Sequence, residues 1–197
     1  MTPFLLKDRF TDIKKHLPSE EDIEMYEKLG WYISPNMIPA ETIDDTISGT
    51  KRFYNGENDF AFNEYKNIAN DTANDQLALR NNEFVSLQIK EIQRLGFHPL
   101  ITGTAAILAR TKKIRLFADS LINKLPEIES HKGIVGWHSD KAYWPTCTSD
   151  KMLTAWIPLQ DCTIDMGPLI HISKSHKWKD DLALKSFYSF NNQELTA

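Results

Sequence analysis

The apolar residues of this chain change their spacing near Lys113, and this change constrains the fold more than any other sequence feature. Before Lys113 they recur at the three- and four-residue spacing of amphipathic helices, as in Ile23, Tyr26 and Leu29. After it they fall into short runs separated by turn residues, which is typical of strands. Helices followed by strands, without regular alternation of the two, predict the α+β class.

Local signals place the predicted helices. Ser19 followed three residues later by Asp22 is typical of a capping box, and Gly30 is a helix stop. The next helix follows Pro39 and is expected to bury Ile43. Ile47 is expected on the same buried side of this helix. The predicted helical stretches are residues 19–30, the stretch after Pro39, residues 83–95 and residues 99–110.

Strands are predicted in the second part of the chain, at residues 114–123, 134–137, 152–159 and 169–172. The segment 152–159 is apolar on both of its faces, which suits a strand in the middle of a two-layer structure. Residues 55–82 are rich in asparagine and predict a long excursion with short helical pieces. A length of 197 residues predicts one domain, divided into an arm (1–18), a helical part (19–113) and a β core (114–197).

Composition excludes several classes of protein. The net charge of −4 argues against a nucleic-acid-binding surface, which needs a basic excess. There is no run of eighteen apolar residues that would predict a membrane span, and the N-terminus does not read as a secretory signal. Cys147 and Cys162 form no CxxC motif and are expected to be reduced thiols. We therefore expect a cytoplasmic enzyme or binding domain.

His138 and Asp140 are the residues whose spacing most suggests chemistry. On a strand or its extended end, residues two apart point to the same side, so the imidazole and the carboxylate would converge. Together they are two thirds of the two-histidine, one-carboxylate set that binds iron and leaves positions open for substrates. By spacing alone, a surface histidine followed by a turn aspartate is the more common arrangement.

A longer ordered pattern surrounds this pair. It runs, in order, through His138-Ser139-Asp140, Tyr143-Trp144-Pro145, Thr154-Ala155-Trp156-Ile157-Pro158-Leu159, Asp161, Gly167-Pro168-Leu169 and Ser175-His176-Lys177. The order resembles that of the phytanoyl-CoA dioxygenase family, which includes ectoine hydroxylase-like enzymes. The resemblance implies helices packed on a double-stranded β-helix (a jelly-roll, cupin-like core). It also implies an iron(II)- and 2-oxoglutarate-dependent oxygenase that uses O₂ to hydroxylate a small organic substrate.

The resemblance also assigns roles to individual residues. His138 and Asp140 match the first two iron ligands of the family. Trp156 matches a position lining the 2-oxoglutarate pocket, and Ser120 falls where relatives often carry Gln or Met beside the same cosubstrate. Trp144 matches an aromatic residue over the active site of some members, which predicts a substrate contact.

The chain departs from the family pattern after Asp140. Relatives usually read Pro-Gly-Ser-His where residues 173–176 read Ser-Lys-Ser-His. The second iron histidine and the 2-oxoglutarate arginine of the family are expected beyond Ala197, so the β core is expected to be incomplete and activity impaired. Only His171 and His176 follow Asp140. His176 matches a motif histidine that is not a ligand, and His171 is expected to be a core or rim residue.

Other functions stay open at this stage. The chain could be a non-catalytic remnant or binding domain of the same fold. A cupin-like metal isomerase or hydrolase that uses another histidine is a further reading. An incomplete sheet would leave an unpaired edge, through which the chain could associate with itself.

Overall fold

The computed structural model describes residues 13–60, 79–124, 135–144 and 146–178 of the chain. Its regular elements in chain order are α1 (Glu20–Leu29), α2 (Ala40–Tyr54), β1 (Leu79–Glu83), α3 (Lys90–Gly96), α4 (Pro99–Leu108), β2 (Ser120–Lys124) and α5 (Asp140–Tyr143). Single 3₁₀ turns lie at Val85–Leu87, Ile164–Met166 and Ser175–Lys177. Within these ranges, none of the helices combines the length and the apolar character that crossing a bilayer requires.

Helix α1 forms where its local signals predicted it. The Ser19 hydroxyl accepts a hydrogen bond from the Asp22 backbone N–H at 3.2 Å, and the Asp22 carboxylate accepts one from the Ser19 N–H at 2.9 Å. This capping box satisfies backbone donors that the first turn leaves unpaired. Gly30 ends the helix in the left-handed conformation, with φ +87°. The predicted first helix is therefore confirmed.

Helices α2 and α3 enclose the buried core. The cluster consists of Phe53, Val85, Ile89 and Ile92. The helix predicted after Pro39 is confirmed, but its buried residues are Thr46, Gly49 and Phe53 rather than Ile43 and Ile47, which are only partly buried. Gly49 lies so close to α3 that an added Cβ would be 2.7 Å from the Glu91 Cβ.

An ion-pair cluster on Arg52 closes one side of this core. The guanidinium of Arg52 binds Asp59 at 2.7 Å, Glu57 at 2.9 Å and Glu91 at 2.9 Å. Glu91 belongs to α3, so these contacts join α2 to the next helix and to the turn that follows α2. The Asp59 carboxylate also accepts a hydrogen bond from the Lys90 N–H at the start of α3.

The helix predicted over residues 83–95 is confirmed only from Lys90 onward, as α3. Leu79–Glu83 is strand β1, which pairs antiparallel with β2, and α3 begins only at Lys90. Phe84 takes a left-handed conformation, with φ +56°, and so ends the regular backbone of β1 before α3 begins. Asp119, just before β2, accepts hydrogen bonds from the Ser86 N–H at 3.0 Å and the Ser86 hydroxyl at 2.5 Å. This contact over 33 positions opposes the local helical preference. The helix predicted at 99–110 is confirmed as α4, which ends at Leu108.

The α+β class is confirmed, whereas a jelly-roll core is not what the described residues show. Their sheet has two strands, β1 and β2, with Asn81 opposite Ile122. Of the predicted strand 114–123, only the part from Ser120 onward is a strand, and 152–159 and 169–172 are not strands. A strand needs a hydrogen-bonded neighbour, which alternation in one segment cannot supply. A strand is also predicted at residues 134–137, but the described residues 135–137 do not form a strand.

Some predictions fall on residues outside the described ranges. These are residues 1–12 of the predicted arm, 61–78 of the predicted excursion, 125–134 before the candidate site, and 179–197 of the predicted β core. The division into arm, helical part and β core stays a prediction.

Candidate metal centre

His138 and Asp140 come together, although not on a strand. Asp140 is the first residue of α5, and Ser139 before it is extended, with φ −103° and ψ 125°. One extended residue between them lets both side chains turn to the same side. The Nε2 atom of His138 lies 3.3 Å from Oδ1 of Asp140.

Gly136 and Tyr143 hold the His138 ring. The Nδ1 atom of His138 lies 2.8 Å from the Gly136 carbonyl oxygen, which can only accept, so Nδ1 carries a proton. The Tyr143 ring, one turn along α5, meets the imidazole edge to face at 5.9 Å between centroids. The Nε2 atom is thereby directed at Asp140. Its hydrogen bond with Asp140 raises the pKa of His138 against the opposing effect of burial.

Asp140 is held from a second segment of the chain. The Thr154 hydroxyl donates to Oδ2 of Asp140 at 2.6 Å, while Oδ1 faces His138. Burial by itself would raise the pKa of Asp140. The hydrogen bonds from His138 and Thr154, with the charges of His138 and His171, outweigh burial and lower that pKa. The carboxylate is therefore kept ionised at neutral pH.

The other predicted site residues have surroundings of their own in the described part of the chain. Trp144 follows α5 and packs on Phe117, with ring centroids 5.6 Å apart. Trp156 is 44% exposed. Ser120 is exposed at the start of β2, opposite Glu83. The structure brings Asp140 to His138, and the roles of Ser120, Trp144 and Trp156 stay predictions.

The sequence pattern missed two supports of the pair. Gly136 contributes only a carbonyl oxygen, which no residue type signals. Thr154 lies fourteen residues after Asp140, and the alternation of the predicted strand 152–159, which the structure does not form, would place it on the same side as Trp156. That alternation was the one available signal for Thr154, and it could not identify Asp140 as the partner.

His176 has a structural partner at the end of α1. Its Nε2 atom lies 3.2 Å from the Glu27 carbonyl oxygen, and a Cβ added to Gly30 would overlap its Nδ1 atom. Next to it, the Lys174 N–H donates to the Leu29 carbonyl at 2.7 Å. Lys174 has φ +70°, the left-handed conformation that favours glycine, so the turn is kept without the expected Pro-Gly.

The two donor atoms of the pair fit two neighbouring coordination positions of one metal ion. Nitrogen and oxygen ligands at bond lengths of about 2.1 Å in neighbouring coordination positions lie about 3.0 Å apart, close to the observed separation of 3.3 Å. The Gly136 and Thr154 contacts orient both donors from behind, as outer-shell partners do in metal sites. Within the described ranges, no group of three or more His, Cys, Asp or Glu residues could hold a metal.

Comparison with known proteins gives one match. No curated protein and no solved structure matches the chain. The sequence model of the phytanoyl-CoA dioxygenase family matches residues 26–195, which include the His138–Asp140 pair and its Gly136 and Thr154 supports. This match spans well over half of the chain, and it agrees with the family predicted from the ordered motifs. The chain therefore belongs to the phytanoyl-CoA dioxygenase family.

Proposed function

We propose that this protein is an iron(II)- and 2-oxoglutarate-dependent oxygenase that hydroxylates a small organic substrate. Family membership supports the reaction class. In this proposal, His138 and Asp140 are two of the protein ligands of iron. Iron with 2-oxoglutarate and O₂ supplies the oxidising chemistry, and the protein binds and orients these groups.

One observation carries the proposal: the pair presents two acceptor atoms to each other. When Nδ1 of His138 donates to Gly136, the neutral ring has its lone pair on Nε2, which faces the carboxylate oxygen at 3.3 Å. Two electron-rich atoms at this distance require a cation between them. In the metal-free protein, a proton on Nε2 takes that place below the raised pKa of His138. A metal ion bound by both atoms would replace it.

The roles that we propose for Trp156, Ser120 and Trp144 are based on the family resemblance and on the solvent exposure of these residues and their neighbours. Trp156 presents a half-exposed indole, whose flat apolar face and N–H group suit a wall of the 2-oxoglutarate pocket. Ser120 offers a hydroxyl at the start of β2 for the same cosubstrate. Trp144, packed on the 52% exposed Phe117, offers an apolar surface one turn from Asp140, where we place the substrate.

Metal binding and turnover test the proposal together. Purified protein is titrated with iron(II) without oxygen, and 2-oxoglutarate conversion to succinate is then followed in air. We expect His138→Ala and Asp140→Ala each to abolish iron binding and all iron-dependent succinate formation. Asp45→Asn, an exposed carboxylate on α2, is the matched control and should behave like the wild type. Iron binding that survives both substitutions would refute the proposal.

A non-catalytic binding domain is the second candidate. It is favoured by the finding that only two candidate donors meet within the described residues. Iron binding that depends on His138, without any succinate formation, would favour this candidate. Metal-dependent turnover of a compound without 2-oxoglutarate would instead indicate an isomerase or hydrolase.

A further inference from the structure

We infer that Thr154 is a positioning residue for Asp140, which it holds so that Oδ1 stays available to the metal. The inference rests on the proposed role of Asp140 as an iron ligand. It concerns a residue to which neither the motif pattern nor the family match gives a role.

The geometry of the contact supports a strong, directional interaction. The distance of 2.6 Å between the Thr154 hydroxyl and Oδ2 is that of a charge-assisted hydrogen bond to an ionised carboxylate. A threonine hydroxyl can donate one hydrogen bond, and here Thr154 donates it to Asp140. With Oδ2 engaged, Oδ1 is the oxygen that faces Nε2 of His138.

Asp140 needs such a support because its own surroundings restrain it weakly. Its side chain is 43% exposed and begins a helix of only four residues. The terminal torsion of an aspartate is broad, so an exposed carboxylate rotates readily unless a partner holds it. The Thr154 hydroxyl stops this rotation at the orientation that pairs Oδ1 with His138.

The contact also links two parts of the proposed site. Thr154 belongs to the segment that carries Trp156, the 2-oxoglutarate candidate, two residues further on. A hydrogen bond across fourteen positions therefore holds this segment next to the metal ligand. Because Thr154 is exposed, removing its hydroxyl leaves no buried donor unpaired, and we expect the fold to tolerate the change.

The test compares Thr154→Val, which keeps the shape and loses the hydroxyl, with Thr154→Ser, which keeps the hydroxyl. Thr148→Val, at another exposed threonine, is the matched control. The first measurement uses metal-free protein at one pH and records the ring ¹⁵N chemical shifts of His138. The second titrates cobalt(II), an oxygen-stable substitute for iron(II), and records its visible absorption.

We expect Thr154→Val to change the His138 ring shifts, to weaken cobalt(II) binding about tenfold and to alter the cobalt spectrum. Thr154→Ser and Thr148→Val should each keep the ring shifts, the cobalt(II) affinity and the cobalt spectrum of the wild type. Ring shifts in Thr154→Val equal to those of the wild type would overturn the inference, whatever the metal does. Changed shifts without cobalt(II) binding in any variant would support the positioning role and contradict the proposed function instead.

Discussion

The imidazole of His176 occupies the space in which a side chain at Gly30 would begin. An added Cβ would overlap the His176 Nδ1 atom, far inside contact distance. The backbone of Gly30 is also left-handed, with φ +87°. Two independent requirements therefore demand glycine at the C-terminal end of α1, and one comes from a residue 146 positions further along the chain.

Gly30→Ala is accordingly expected to destabilise the protein by at least about 2 kcal/mol, because backbone strain and steric overlap add. Urea unfolding measures the effect. In the double variant with His176→Ala, the overlap disappears and only the backbone penalty remains, so the two changes should not be additive. Equal stability of Gly30→Ala and the wild type would contradict the described end of α1.

Lys174→Gly is expected to stabilise the protein, by up to about 1 kcal/mol. Lysine at φ +70° carries the cost of the left-handed conformation, which glycine adopts without strain. The greater freedom of glycine in the unfolded chain offsets part of this gain. Thermal unfolding compares the variant with Lys177→Gly, in which the change lies in the adjoining 3₁₀ turn and should destabilise. A lower melting temperature for Lys174→Gly than for the wild type would argue against the strained turn.

Asp59 should make the free energy of unfolding depend on pH in the acid range. Hydrogen bonds from Arg52 and from the Lys90 N–H lower the pKa of Asp59 to about 2. Since the folded pKa lies below the unfolded value, this contribution is present above pH 4 or so and is lost as the pH falls toward 2. Asp59→Asn should be less stable at neutral pH and lose less on acidification. Asp45→Asn, at an exposed ion pair, is the control, and an Asp59→Asn curve parallel to the wild type would refute the expectation.

His138 should respond to pH in the opposite sense. Its hydrogen bond to Asp140 raises its pKa, so the stabilisation in metal-free protein is complete below the unfolded value of about 6.5 and is lost as the pH rises through the folded pKa. Asp140→Asn should bring the pKa of His138 down, which an NMR titration of the ring would detect. The same proton competes with metal, so cobalt(II) affinity should rise with pH across this range. A His138 titration unchanged in Asp140→Asn would show that the pair does not interact.

Short-range signals determined α1 and α4 within the sequence itself. The capping box of Ser19 and Asp22, the stop at Gly30 and the proline at the start of α4 each act within one turn of the helix. The convergence of His138 and Asp140 has the same origin, because one intervening residue nearly fixes the relative direction of two side chains. The ordered motifs around this pair were sufficient to identify the family.

Tertiary structure decided the features that depend on partners far along the chain. Residues 83–95 have a helical apolar spacing, yet α3 begins only at Lys90, because β2 pairs with the chain up to Glu83 and Asp119 holds Ser86. Thr154 reaches Asp140, and His176 reaches Gly30, across fourteen and 146 positions. Local spacing encodes which faces are apolar and which ends are capped. It does not encode which distant segment packs against them, because that choice is made by the free energy of the whole packed chain.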